Sequence, residues 1–433
     1  GIGWIDPAEG ERRMTYYMDI IMVPIQIIVA LFTVYYTVLA VSGMFRKKEV
    51  KILTPKNRFA IIVAAHNEEQ VLGALIDNLF MLKYPRELYD VYVVADNCTD
   101  GTAQLARDHG AIVYERFNKE EVGKGYAMDW LFHKVYETGI EYDAFCVFDA
   151  DNLVHLDFLT EMNSRLEKGE QVIQGYLSAK NPSDTWVSAT FAMAFWIVNH
   201  LWHLGKYNIG LSTALGGTGM CISSRVLRTY GWGCNCLTED MEFSMKILYE
   251  GNIRTTWADD AIVYDEKPLR FMQSWNQRKR WAQGHFDCAG RYIPKLFKRG
   301  FSTGNIRMLD GILQLSQPHF MLLSTFYLLM TYVNASVPFF TNVLYNDRVM
   351  PVEFWTTIGT LQFVLPIIVL WRINVPKKVW LYIPMYPIFI YSWVPITFLG
   401  FLNRHKKEWS HTQHTRQISF DEVPLHLDSK GPN

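Results

Sequence analysis

The sequence predicts an α/β chain: a mainly parallel sheet with helices on both faces, joined to transmembrane and interfacial α-helices. Three observations predict it. Between residues 58 and 178, short β-branched runs alternate with stretches of helical period. Those runs are mostly apolar rather than alternating, as strands buried on both faces require. Long apolar stretches lie toward the two ends of the 433 residues, with a mixed-polarity region between them.

Taken in order, residues 1–13 are unlike the rest of the chain and are expected to be an expression scar, with Met14 the natural start. Residues 18–44 form an almost uncharged run, long enough to cross roughly 30 Å of hydrocarbon with some tilt, so 14–45 is read as a transmembrane helix. Arg46, Lys47 and Lys48 come directly after it and assign residues 46–267 to the cytoplasm. A cleaved signal peptide fits less well, because the run is too long and no small-residue cleavage pattern comes after it. Strands are expected at 59–65, 91–95, 112–115, 145–148 and 172–175, and helices at 69–82 and 125–136. In such sheets ligands bind beyond the carboxyl ends of the strands.

Residues 268–318 read as amphipathic helices at the membrane interface. In the region 319–402, the stretches 320–340, 354–371 and 379–402 are each long enough to span, with Trp and Tyr at their boundaries. Three crossings would leave the basic tail at 403–433 (Arg404, His405, Lys406, Lys407) outside, against the charge rule. Pro384, Pro387 and Pro395 interrupt the last stretch, so the expectation is a re-entrant or interfacial final segment and a cytoplasmic tail. The setting is thus a multi-pass cell-membrane protein with its polar region in the cytoplasm and the lipid bilayer as a partner.

Lys and Arg number 42 against 43 Asp and Glu, and that balance argues against nucleic acid as a partner. The six cysteines all fall in the middle region. Cys234-Asn235-Cys236 lacks the second pair or the histidines of a zinc site, so reduced thiols are expected.

The chemistry gathers at the expected strand ends. The first strand runs into His66-Asn67-Glu68, the second into Asp96-Asn97-Cys98-Thr99-Asp100, and the fourth into Asp149-Ala150-Asp151. A single Asp after a strand is usually a helix cap, and Asp100 is read so. Three such clusters at one sheet edge are harder to explain as caps. Asp149 and Asp151, one residue apart, can hold a hard divalent cation that in turn binds phosphate oxygens. Gly123-Lys124-Gly125 adds mobile backbone and a point cation, without the spacing of a Walker loop. Thr238-Glu239-Asp240 opens a helical pattern and offers a carboxylate base, with an N-cap as the plainer reading. In Gln277-Arg278-Lys279-Arg280-Trp281, Arg280 can neutralise a departing diphosphate and Trp281 can present an apolar face to a sugar ring.

On Asp96, Asp149-Ala150-Asp151, Thr238-Glu239-Asp240 and Gln277 to Trp281, in that order, the chain resembles the processive members of glycosyltransferase family 2, among them cellulose, chitin and hyaluronan synthases. The resemblance covers roughly residues 58–281. It implies a GT-A type, Rossmann-like sheet, a UDP-sugar donor, Mg²⁺ or Mn²⁺, and inversion to a β-linkage. It also implies Asp240 as base, with Glu239 and Arg280 beside it in catalysis. Substrate contacts are implied for His66, Asn67, Glu68, Asp96, Lys124, Asp149, Thr238, Gln277, Arg278 and Trp281, and metal contacts for Asp151 and Asp149. Trp409, Thr412 and Arg416 resemble a loop that closes over the donor. The expected activity is polymerisation of a β-linked glycan from UDP-glucose or UDP-N-acetylglucosamine, with export of the growing glycan acceptor through the membrane and accessory export or cell-wall proteins as further partners. The alternative is transfer of one sugar to a membrane lipid, and a remote third reading is an inactive scaffold.

Overall fold

The computed structural model describes residues 7–344, 351–406 and 418–423. Among them eight strands form one sheet: β1 (Phe59–Ala65), β2 (Tyr89–Asp96), β3 (Ile112–Arg116), β4 (Ala144–Asp149), β5 (Leu153–Val154), β6 (Val172–Ala179), β7 (Met220–Ser223) and β8 (Thr255–Asp265), in the order β3-β2-β1-β4-β7-β6-β8-β5. β1 pairs in parallel with β2 and β4, β2 with β3, and β6 with β8. β7 runs antiparallel between β4 and β6, and β5 lies antiparallel on β8.

The central strands are apolar because each face meets its own core. Phe59, Ile61 and Val63 of β1 pack with Leu72 and Leu75 on one side. Ala60 and Ile62 pack with Met128 and Leu131 on the other. The five expected strands are present, and three more were not legible. β5 and β7 are too short to show a pattern. β8 is broken by Asp259 and Asp260, which a register shift opposite Gly175/Tyr176 accommodates. Those two carboxylates meet Arg46 at 2.9 Å (Asp259) and Lys51 at 2.7 Å (Asp260), so the chain just after the first helix is clamped to the sheet.

That first helix is Pro7–Gly43. Its end crosses the segment Asn199–Leu204 so closely that a Cβ on Gly43 would stand 2.0 Å from the His200 carbonyl oxygen, and one on Gly205 2.3 Å from that of Leu39. Among the described residues, three helices are long and apolar enough to cross a membrane: Arg12–Gly43, Val352–Arg372 and Ile383–Leu402. The stretch expected at 320–340 is not among them. It forms the helix Gln317–Ser336, diluted by Gln317, His319, Ser324, Thr325 and Thr331.

The stretch expected to be interfacial, 268–318, forms the 33-residue helix Phe271–Thr303, which carries Pro294 without ending, followed by Ile306–Leu315. The last apolar stretch is broken into Lys377–Trp380, Ile383–Met385, Tyr386–Tyr391 and Trp393–Leu402, with Pro384 and Pro387 at the starts of two pieces. Trp393–Leu402 lies directly on the long helix. A Cβ on Gly400 would be 2.5 Å from that of Ala282, and the Phe401 and Phe286 rings are 5.3 Å apart.

Candidate active site

The parallel register brings the expected clusters to one edge. Ala65 is opposite Ala95, and Ala64 opposite Asp149, so His66, Asp96 and Asp149 leave the sheet side by side. Where β1 and β2 end, the turns hold one another. Asn67 adopts a left-handed backbone (φ 54°) and its Oδ1 accepts from the Thr99 N–H at 2.8 Å. His66 Nδ1 bonds the Asp96 carbonyl oxygen at 2.7 Å, and Thr102 Oγ1 accepts from the Glu68 N–H at 2.9 Å. Asp100 lies one residue before the N-cap Gly101 rather than at the cap itself, and its carboxylate accepts from the Thr102 N–H that opens helix Thr102–Asp108 at 3.0 Å. Burial pushes the Asp96 carboxyl up, and the Arg116 guanidinium, 2.7 Å away and itself buried, offsets this only in part.

Where β4 ends, charge dominates. Lys124, at the first turn of helix Lys124–Glu137, donates from Nζ to Asp149 and, at 2.6 Å, to the Gly217 carbonyl oxygen. Burial opposes its charge, but Asp149 and Glu239 outweigh that and raise it. Gly125 is tight against Glu239, whose Cβ would be 3.3 Å from an added methyl. Gly217 adopts φ 81°, and a Cβ added there would stand 3.4 Å from Asp240 Oδ2. Glu239 and Asp240 form the first turn of helix Glu239–Gly251, and Asp240 Oδ1 accepts from the Met241 N–H at 2.8 Å. Burial and then the Glu239 carboxylate push Asp240 up to about 7, and burial raises Glu239 as well.

The long helix closes this side. A Cβ on Gly284 would stand 2.7 Å from Thr238 Oγ1, so the helix runs directly along the Thr238-Glu239-Asp240 turn. Burial holds the Arg280 guanidinium below its ordinary value, against the pull of Glu239, Asp149 and Asp240. Trp281 is half-buried and tilts against Phe191 and Phe195, with centroids at 5.8 and 6.3 Å. Gln277 leaves Oε1 buried without a hydrogen-bond partner among the described residues.

The structure therefore gathers Lys124, Asp149, Glu239, Asp240 and Arg280 in one group, with Thr238 beside them and His66, Asn67, Glu68 and Asp96 along the same edge. Arg278 is a correction. The expected substrate contact is replaced by full burial against the last apolar segment: its guanidinium lies 4.3 Å from the Phe389 ring centroid and 5.2 Å from that of Trp393, and Nη1 donates to Ser392 Oγ at 2.8 Å. Trp409, Thr412 and Arg416 lie outside the described residues. Just beyond them, Phe420 meets Tyr264 of β8 edge-on at 6.5 Å.

Asp151 is nearly buried, and its Oδ2 accepts from the Glu266 N–H at 3.0 Å. Sequence reasoning missed its neighbours. Lys180 donates to the Asp151 carbonyl oxygen at 2.8 Å, and Lys267 pairs with Asp265 at 2.7 Å. Burial raises the Asp265 carboxyl against the pull of Lys267, and the nearby Asp151 and Asp149 add to the rise. The signal was the dense Asp265-Glu266-Lys267 triplet before Pro268, hidden because β8 itself was not seen.

Asp149, Asp151, Asp265, Glu239 and Asp240 outnumber Lys124, Lys267 and Arg280 here, an imbalance that suits an added cation. Among the described residues no three Asp, Glu, His or Cys side chains already converge as a ligand set. One or two carboxylates completed by phosphate oxygens is how Mg²⁺ is usually held, so Asp149 and Asp151 fit a divalent ion that arrives with a diphosphate.

Known proteins resemble this chain in sequence and in fold. Residues 55–284, more than half of the chain, match the family described as "Glycosyltransferase like family 2". A beta-monoglucosyldiacylglycerol synthase of Nostoc sp. is 26% identical over 261 residues, 56% of this chain and 52% of that protein. The probable glycosyltransferase YdaM of Bacillus subtilis is 24% identical over 253 residues, 56% of this chain and 58% of that protein. The chain thus spans about half the length of the curated relatives it matches. Among solved structures, the mannosyltransferase PcManGT from Pyrobaculum calidifontis, in complex with GDP-Man and Mn²⁺, superposes with a TM-score of 0.58 over 89% of this chain and 98% of that one, at 16% identity. That likeness supports the fold.

Proposed function

Because this chain belongs to glycosyltransferase family 2, we propose that it transfers one hexose from a nucleotide-sugar, UDP-linked in our reading, to the hydroxyl of a membrane lipid, with inversion at the anomeric carbon. The observation that carries the proposal is a single helix with two duties. Phe271–Thr303 brings Arg280 to the carboxylate group and seats the apolar segment Trp393–Leu402 on Ala282 and Phe286. An acceptor arriving from the bilayer then meets the base and the leaving group at one place.

In this reading His66, Asn67, Glu68 and Asp96 border the nucleotide, and Asp149 and Asp151 hold Mg²⁺ or Mn²⁺. When bound, that ion supplies positive charge to the diphosphate oxygens. The Asp240 carboxylate takes the proton from the acceptor hydroxyl. The oxygen attacks the anomeric carbon as the bond to the diphosphate breaks, and Lys124 and Arg280 face the charge that leaves. A base raised to about 7 suits a hydroxyl acceptor, since its proton affinity is matched to neutral pH.

The sequence alone ranked a polymer-forming synthase first. The Nostoc relative is named for one glucose on diacylglycerol, which supports single transfer instead. The polymer reading stays second, favoured by Gln277-Arg278-Lys279-Arg280-Trp281. The test supplies the purified protein in nanodiscs containing diacylglycerol with radiolabelled UDP-glucose, UDP-N-acetylglucosamine or GDP-mannose and Mg²⁺ or Mn²⁺. A chloroform-soluble product carrying one sugar is expected. A water-soluble or growing polymer would favour the second reading.

A further inference from the structure

We propose that the ion pair between half-buried Asp265 and buried Lys267 sets, by charge alone, how tightly the donor end of the cleft holds its divalent cation. The inference rests on the donor site proposed for these strand ends. Past the end of β8 the chain folds around Asp151. The Glu266 N–H donates to Asp151 Oδ2 at 3.0 Å, while Lys180, bound to the Asp151 carbonyl oxygen at 2.8 Å, is neutralised by Glu266 at 3.3 Å. Lys267 is the next cation along. Its backbone is pinned in both directions by Asn181, whose Oδ1 accepts at 2.8 Å and whose Nδ2 donates at 2.9 Å. Its Nζ lies 2.7 Å from Asp265 and 3.4 Å from the centroid of the Phe195 ring, and the residue is only 2% exposed.

A cation held by a carboxylate, an aromatic face and a pinned backbone does not swing away when substrate arrives. Its charge stays beside Asp151 through the reaction, and so does that of Asp265. Neither need touch the ion to act on it, because Coulomb interactions in a half-buried site reach past one contact shell. Removing the ammonium leaves the Asp265 carboxylate uncompensated and favours a divalent cation. Removing the carboxylate charge leaves the ammonium opposing it, and removing both returns the site near its starting balance. A pair poised in this way gives moderate affinity, which lets the ion and the nucleotide diphosphate leave after each transfer.

The test measures Mn²⁺ binding directly, by the loss of the free-ion electron paramagnetic resonance signal, with UDP present and the full chain in nanodiscs. Lys267→Met is expected to bind Mn²⁺ about three- to ten-fold tighter, Asp265→Asn weaker by a similar factor, and the double variant within about twofold of the native protein. Shifts of the same sign in the two single variants, or no shift in either, overturn the proposal. Should Lys267→Met not accumulate as folded protein, Asp265→Asn decides alone, and unchanged binding overturns it. A native protein that binds no Mn²⁺ with UDP or with GDP overturns the donor reading as well, which separates the two failures.

Discussion

At the β1–β2 end of the cleft, polar groups largely satisfy one another: Asn67 holds Thr99, His66 holds the Asp96 carbonyl, and Arg116 pairs with Asp96 and offsets part of its burial. At the β4–β8 end, carboxylates crowd one another instead, and Glu239 and Asp240 both hold protons more tightly than an exposed acid would. The first end is largely shaped in advance. The second gathers carboxylates that, in the proposed reading, await a cation and a diphosphate. That reading separates nucleotide binding from transfer along one sheet edge, so substitutions at the two ends should fail in different ways.

The largest effect is expected from Asp240→Asn. Transfer should fall by about 10³-fold or more while UDP binding stays within a few-fold, measured by product formation and by nucleotide titration. The native rate should rise with pH through about 7, as the base loses its proton, and the variant should lose that dependence. Stability follows the opposite sign. The native state binds the extra proton between the ordinary value of 3.8 and about 7, so stability falls as pH rises through that window, and Asp240→Asn should flatten the fall in thermal melts.

The next contrast lies within one helix turn. Arg280→Ala should cost about 10²-fold in kcat with little change in melting temperature, because Arg280 faces the carboxylates. Arg278→Ala should do the reverse: about 2–4 kcal/mol of stability lost, seen in thermal unfolding, with donor KM unchanged. Equal behaviour of the two would erase the distinction.

Two substitutions should have smaller effects. Trp281→Ala should slow transfer about tenfold and donor hydrolysis less, since its ring packs against Phe191 and Phe195 on the side the proposed reading gives to the acceptor. Asn67→Ala loses the Thr99 bond and strains a left-handed backbone, so donor KM should rise a few-fold with kcat nearly constant. A kcat loss as large as that of Asp240→Asn would move the nucleotide end into the chemistry.

The sheet was legible because β1, β2 and β4 are buried on both faces and, apart from Asp90 near the start of β2, carry no charge until they end. Their carboxyl-terminal residues, from His66 through Asp96 to Asp151, stood out for that reason. β8 was not legible, because Asp259 and Asp260 break its apolar run for a tertiary purpose, the clamp on Arg46 and Lys51. Losing β8 also hid Asp265 and Lys267. Arg278 was misread because side-chain direction within a helix depends on what packs against each face, and its aromatic seat comes from residues 389–393, more than a hundred positions away.

A single donor site at these strand ends is the central claim, and cryo-electron microscopy of the protein in nanodiscs with UDP and Mn²⁺ tests it most directly. The expected result is uracil near Asp96, the diphosphate within hydrogen-bond reach of Lys124 and Arg280, and the ion on Asp151. Nucleotide density in a different cavity, with Asp149 still bound to Lys124 and Asp240 facing no ligand, would contradict it.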